Sequence, residues 1–112
     1  MNEEVKKIII EWNLQKDYNR LSSEKKELLN ALAEVWSADD AVYQVLLDDG
    51  ENMWLTSLPL ADFIEDHAPE IYEADPNQPL YHFIDWDSVA VDFASQHEIV
   101  KIDDNRKIII LR

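Results

Sequence analysis

The sequence predicts an α+β domain, with several short helices packed on a small antiparallel sheet that closes in a C-terminal hairpin. Two observations carry this reading. Apolar residues recur at helical spacing in several separate stretches, each bounded by capping or turn residues. Near the end of the chain, the β-branched runs 97–102 and 107–111 flank the turn-forming cluster Asp103, Asp104, Asn105, Arg106. A chain of 112 residues, 46% of them apolar, is long enough for one core, or for two very small modules that share one.

Taken in order, residues 2 to about 17 read as a helix, with Val5, Ile8, Ile9 and Trp12 at i, i+3, i+4, i+7 and Glu3 and Glu4 suited to its N-terminal dipole. A second helix starts after Ser22 or Ser23 and runs to Trp36, its stripe formed by Leu28, Leu32, Val35 and Trp36. Residues 38–47 fit either a helix stopped near Gly50 or a strand; the helix is preferred, followed by a short extended piece at 53–56. Ser57, Leu58 and Pro59 start a further helix with proline in its first turn and Leu60, Phe63 and Ile64 on its buried side, expected to break or kink near Pro69. Residues 75–79 read as a loop and 81–84 as extended. Asp85 looks like the N-cap of a last helix, 86–94, with Trp86, Val89, Ala90 and Phe93 on one face. The chain divides into an N-terminal helical segment, 1–20, and an acidic α+β domain, 21–112.

Charge is the most uneven property. Between Lys26 and Lys101 there is no lysine or arginine; these 74 residues carry 17 carboxylates, and the whole chain has a formal net charge of −14. Such self-repulsion destabilises a compact state, so a one-signed surface points to solubility or to a partner of opposite sign. Within the block, repulsion should raise carboxylate pKa values. The acidity argues against direct binding of nucleic acid, which needs clustered Lys and Arg, and against an anionic membrane surface. No apolar run approaches a membrane span and no signal-peptide pattern opens the chain, so a cytoplasmic protein is expected.

Enzyme signatures are lacking. There is no cysteine, and the single glycine, Gly50, leaves no material for a phosphate-cradling loop or a nucleophile elbow. His67, His82 and His97 stand at no metal-motif spacing, and His67 reads as a packed histidine. With Gly50 at position six of a calcium loop, position one would be Val45, where an acid is required. The expectation is a binding protein without catalysis, cofactor or metal. The acids themselves form the constellation. Asp62, Asp66 and Glu70 recur every four residues, with Glu65 and Glu73 beside them, which on a helix repeats a carboxylate about every 6 Å. Asp85, Asp87 and Asp92 lie outside the apolar stripe of the last helix, and Asp39, Asp40, Asp48, Asp49 and Glu51 complete the candidate partner-binding surface.

The stretch Leu80-Tyr81-His82-Phe83-Ile84-Asp85-Trp86-Asp87-Ser88-Val89-Ala90-Val91-Asp92-Phe93 resembles the C-terminal pattern of the ArdA antirestriction family: an aromatic, Ile-Asp, an aromatic, an acid, then a short helix ending in Asp and an apolar residue. Residues 21–36 are similar to that family's acidic helix, and 54–71 to its short strand, Ser turn and helix, so the resemblance covers roughly 21–112. Two departures stand out. A helix of about 17 residues replaces the family's longer N-terminal module, and Val91 stands where a polar or basic residue is expected. The resemblance implies an acidic, elongated DNA mimic, often a homodimer, carried by a phage, plasmid or transposon. Such a protein blocks Type I restriction-modification enzymes by occupying their basic DNA-binding groove. Two other targets fit an acidic surface: a CRISPR effector filled by an anti-CRISPR DNA mimic, and a basic nuclease toxin neutralised by an immunity protein or antitoxin.

Overall fold

The computed structural model describes residues 2–48 and 50–112. Six α-helices and three strands follow one another as α1 (Glu3–Glu11), α2 (Gln15–Arg20), α3 (Ser23–Val35), α4 (Ala38–Val42), β1 (Met53–Thr56), α5 (Leu60–Ile71), α6 (Trp86–Gln96), β2 (Glu98–Lys101) and β3 (Lys107–Ile110). The fold is α+β, with a three-stranded antiparallel sheet in the order β1-β3-β2. The last strand therefore lies in the middle, pairing Ile109 with Trp54 on one side and with Ile99 on the other.

Side chains alternate across a strand, so the run Ile108-Ile109-Ile110 serves both faces of the sheet, and all three are fully buried. Ile108 and Ile110 join Met53 and the buried residues of α1–α4 in the larger core. Ile109 joins Phe63 and Ile64 of α5 and Ala90 and Phe93 of α6 in the smaller one. Helices thus cover the sheet on both faces, with β3 common to the two cores. The N-terminal helices belong to the larger core through Val5, Ile9, Leu14 and Tyr18.

The expected first helix is two. It stops at Trp12 because Asn13 adopts a left-handed conformation, φ 57°. The Leu14 N–H returns to the Ile9 carbonyl (2.8 Å) and the Asn13 N–H to that of Ile10 (3.2 Å), a Schellman closure with apolar Ile9 and Leu14 packed across it. In α3, capped by the Ser22 hydroxyl, the buried face is Leu28, Leu29, Ala31 and Leu32, while Val35, expected in the stripe, is exposed where the chain leaves the helix. Residues 38–47 are helical. α4 runs without interruption into a π-helical turn, Tyr43–Asp48. Gly50 follows against it, and a Cβ there would lie 2.2 Å from the Val45 carbonyl oxygen, so only glycine fits. The Lys25 ammonium bonds the carbonyls of Gly50 and Met53 and lies 5.7 Å from the Trp54 ring centroid, pinning the entry to β1 onto α3. Burial pushes its pKa down, against the pull of Glu24 and Glu51.

Pro59 forms the N-cap of α5 and stands just before its first turn. A break or kink is expected near Pro69; the helix passes through Pro69 and ends two residues later, at Ile71. Pro69 has no N–H for the Glu65 carbonyl, and the Tyr81 hydroxyl donates to that oxygen instead (2.6 Å), so the helix continues to Ile71. Where 81–84 is expected to be extended, residues 79–83 form a 3₁₀ turn that carries Tyr81 inward against Trp86, with ring centroids 5.2 Å apart. Asp85 caps α6 by accepting from the Ser88 N–H (3.2 Å) and hydroxyl (2.8 Å), and the helix reaches Gln96. In the hairpin turn, the Asp103 carboxylate accepts from the Asn105 and Arg106 N–H groups at 2.9 and 2.7 Å.

Candidate partner-binding surface

α5 presents its acids as the periodicity requires. Phe63, Ile64 and Ala68 face the core, and Asp62, Glu65, Asp66 and Glu70 are exposed. Like charges at i, i+4 oppose the helix by a few tenths of a kcal/mol per pair. The helix persists because its apolar side is buried between sheet and α6. Glu73 follows in a left-handed conformation, φ 56°. On α6, Asp87 and Asp92 are exposed, with Asp85 exposed at the cap. α5 and α6 share one core, so these eight carboxylates belong to one layer of the molecule.

The remaining candidates fall elsewhere. Asp39 and Asp40 lie in the first turn of α4 and Asp48 at the end of the π-helical turn, elements that pack on the opposite face of the sheet; Glu51 lies in the 3₁₀ turn leading into β1. All four are exposed. Asp49 lies outside the described residues. None of the described candidates is ion-paired among the described residues. Cations of the C-terminal segment go instead to Glu34 and Asp103 (Arg106), Asp104 (Lys101) and Glu98 (Arg112).

Titration behaviour is local. Asp85 departs from the expectation of raised carboxyl pKa values, because hydrogen bonds from the Ser88 side chain and backbone hold it below the usual range. The Tyr81 phenol is pushed up by burial and by the charges of Glu65 and Asp66; Tyr72, at the end of α5, is pushed up by burial and by Asp92 of α6. His67 is packed as expected, stacked on Phe63 (centroids 4.2 Å apart) with its Nδ1–H on the Phe63 carbonyl at 3.0 Å.

The sequence reading missed one feature of this layer. Phe83 is 82% exposed, Leu80 77% and Val91 75%, and a groove of about 480 Å³ opens between Tyr72 and Ala74 past α5 and Trp86, Val89 and Asp92 of α6. Its one sequence signal was Val91, which stands outside the α6 stripe; the 3₁₀ turn 79–83, which turns one ring inward and leaves Leu80 and Phe83 without cover, had none.

Among the described residues, no group of three or more His, Asp or Glu side chains is arranged to hold a metal ion, and no helix is long and apolar enough to cross a membrane. Comparison with known protein families, curated proteins and solved structures finds no match.

Proposed function

We propose that this chain is a DNA-mimic inhibitor of a host defence nuclease, in the manner of the ArdA-like antirestriction proteins it resembles. It would occlude the DNA-binding groove of a Type I restriction-modification complex by stoichiometric binding, without catalysis. The observation that carries this reading is the set of exposed candidate carboxylates that form no ion pair among the described residues. A surface that satisfied its own charges would have little to offer a basic groove.

Dimensions support the same reading. The molecule measures 51 × 26 × 21 Å, and its radius of gyration of 15.8 Å exceeds the roughly 13 Å of a compact domain of this size. At ~3.4 Å of rise, its long axis matches about 15 base pairs. A duplex of that length carries roughly 30 phosphate charges, against a formal net charge of −14 here. The mimic therefore offers about half the charge density of DNA, and binding should be spread over many weak contacts and be salt-sensitive.

The test is competition between the full chain and labelled duplex for a purified modification complex at several salt concentrations. The chain should displace duplex and block methylation along with cleavage, and changing Asp62, Glu65, Asp66 and Glu70 together to their amides should weaken it strongly while each single change costs about 1 kcal/mol or less. Simultaneous binding of chain and DNA would exclude occlusion and favour neutralisation of a small basic toxin.

A further inference from the structure

Carboxylates alone would give the inhibitor nothing that DNA lacks. The layer that carries most of them also holds an apolar groove. We propose that this groove, between the end of α5 and α6, receives an apolar side chain that the target carries among the lysines and arginines of its DNA-binding surface. The proposal deepens the DNA-mimic reading and rests on it.

Five residues supply the groove's apolar lining, Tyr72, Ala74, Ile84, Trp86 and Val89, and Ser88 and Asp92 complete it. A volume of about 480 Å³ is within the range of small-ligand sites and ample for one large side chain. Phe83, next in the chain to Ile84, is itself exposed. Exposed apolar surface of this kind, with polar surroundings, marks interaction sites.

Charge selects the occupant. Asp85 and Asp87 flank Trp86 in the chain, Asp92 lines the groove, and Glu73 and Asp75 stand on either side of Ala74, another lining residue. No lysine or arginine occurs anywhere in residues 27–100. A second copy docking by two-fold symmetry would set Asp92 and this cation-free acidic segment against themselves, and like charges across an interface oppose it. An anionic membrane is disfavoured for the same reason. A partner whose apolar residue stands among cations meets both features at once. DNA-binding proteins carry such residues, Phe, Leu, Ile or Met, as wedges between base steps, beside the Arg and Lys that hold the backbone. The groove gives such a wedge an apolar slot with Asp92 in its lining, in a stretch of chain that carries acids and no lysine or arginine. Apolar burial is not screened by salt, so it would hold the complex together where the charge contacts weaken.

The experiment is an amide-resolved NMR titration of the full chain with three short peptides: a leucine between pairs of arginines, the same peptide with serine for leucine, and the leucine peptide with glutamates for arginines. The arginine–leucine peptide is expected to shift Tyr72, Ile84, Trp86 and Val89 and to bind roughly tenfold tighter than the serine peptide. Ile84→Ser should erase that tenfold difference and leave serine-peptide binding unchanged. Tyr72→Ser, at a half-exposed position, provides the same readout should Ile84→Ser not give a native spectrum. Equal binding of the leucine and serine peptides, equal binding of the glutamate peptide, or shifts confined to other residues would overturn the proposal. So would concentration-dependent broadening of the groove signals without peptide, which would assign the groove to a second copy. The titration contains no nuclease: failure to compete with duplex would sink the occlusion reading while leaving the groove result standing, and the reverse holds equally.

Discussion

The two faces of the sheet are covered by helices of opposite character. α1–α3 carry the lysines and arginines of the N-terminal segment and, with α4, pack the larger core, down to Lys25 stapling β1 onto α3. α5 and α6 carry no cation, enclose the smaller core and leave Tyr72, Ile84 and Val91 in solvent. One layer is organised chiefly for stability; the other holds a row of like charges in place at some cost to its own helices. What lets the second layer exist is the strand both share. Ile109 anchors α5 and α6 from a strand whose neighbours Ile108 and Ile110 are locked in the larger core.

Truncating that strand should break the comparison most severely. Ile108→Ala and Ile109→Ala each remove a fully buried side chain and should each cost about 3 kcal/mol. If the sheet joins the layers into one cooperative unit, chemical denaturation of either variant gives a single transition. Loss of amide protection confined to α5 and α6 in Ile109→Ala would instead show that the acidic layer unfolds by itself.

Gly50→Ala tests the stable layer at its tightest point. The new Cβ meets the Val45 carbonyl, and the turn must shift at a cost of about 2 kcal/mol, read as a lower denaturation midpoint. An unchanged midpoint would mean that the π-helical turn yields freely.

Tyr81→Phe acts on the acidic layer alone. It leaves the Glu65 carbonyl without the donor that replaces Pro69's missing N–H and should cost about 1 kcal/mol. The same hydroxyl sets a pH dependence. Its pKa is raised by burial first, so its stabilisation is complete below the ordinary phenol value of 10.0 and is lost as pH rises through the higher folded value. The alkaline decline in stability should begin above the ordinary value of 10.0, and the phenylalanine variant should show a shallower decline; identical profiles would remove Tyr81 from this role.

The smallest effect runs the other way. Asp66 stands four residues from both Asp62 and Glu70, and Asp66→Asn should raise stability by a few tenths of a kcal/mol at low salt, fading as salt is added. A loss of stability would mean that the row of acids is held by contacts beyond charge. Adding salt to the unaltered chain should stabilise it in the same sense.

Much of this was legible in sequence because it depends on neighbours within a turn or two. Ser22 and Asp85 cap helices where their side chains can reach the orphan N–H groups, the turn at Asp103–Arg106 closes the hairpin, and the α5 acids fall outside the stripe of Phe63 and Ile64. The cation-free block is a property of the sequence alone. Local signals also erred in instructive places. Asn13 gave no break in the apolar periodicity, because the left-handed residue that ends α1 is followed at once by Leu14 in the same core. At Pro69 the local signal points to a break or kink, yet the helix runs on to Ile71, because the substitute donor, Tyr81, lies twelve residues further on.

Sequence by itself determined the α+β class, the caps and the one-signed surface, since composition, periodicity and capping are written residue by residue. Tertiary structure alone decided that the last strand lies between the other two, that its three isoleucines serve two cores, and that the candidate acids divide between two layers. It also opened the groove beside Trp86. The reason is physical: strand order and side-chain cover depend on contacts between segments far apart in the chain, and those are settled by which apolar faces can be buried together.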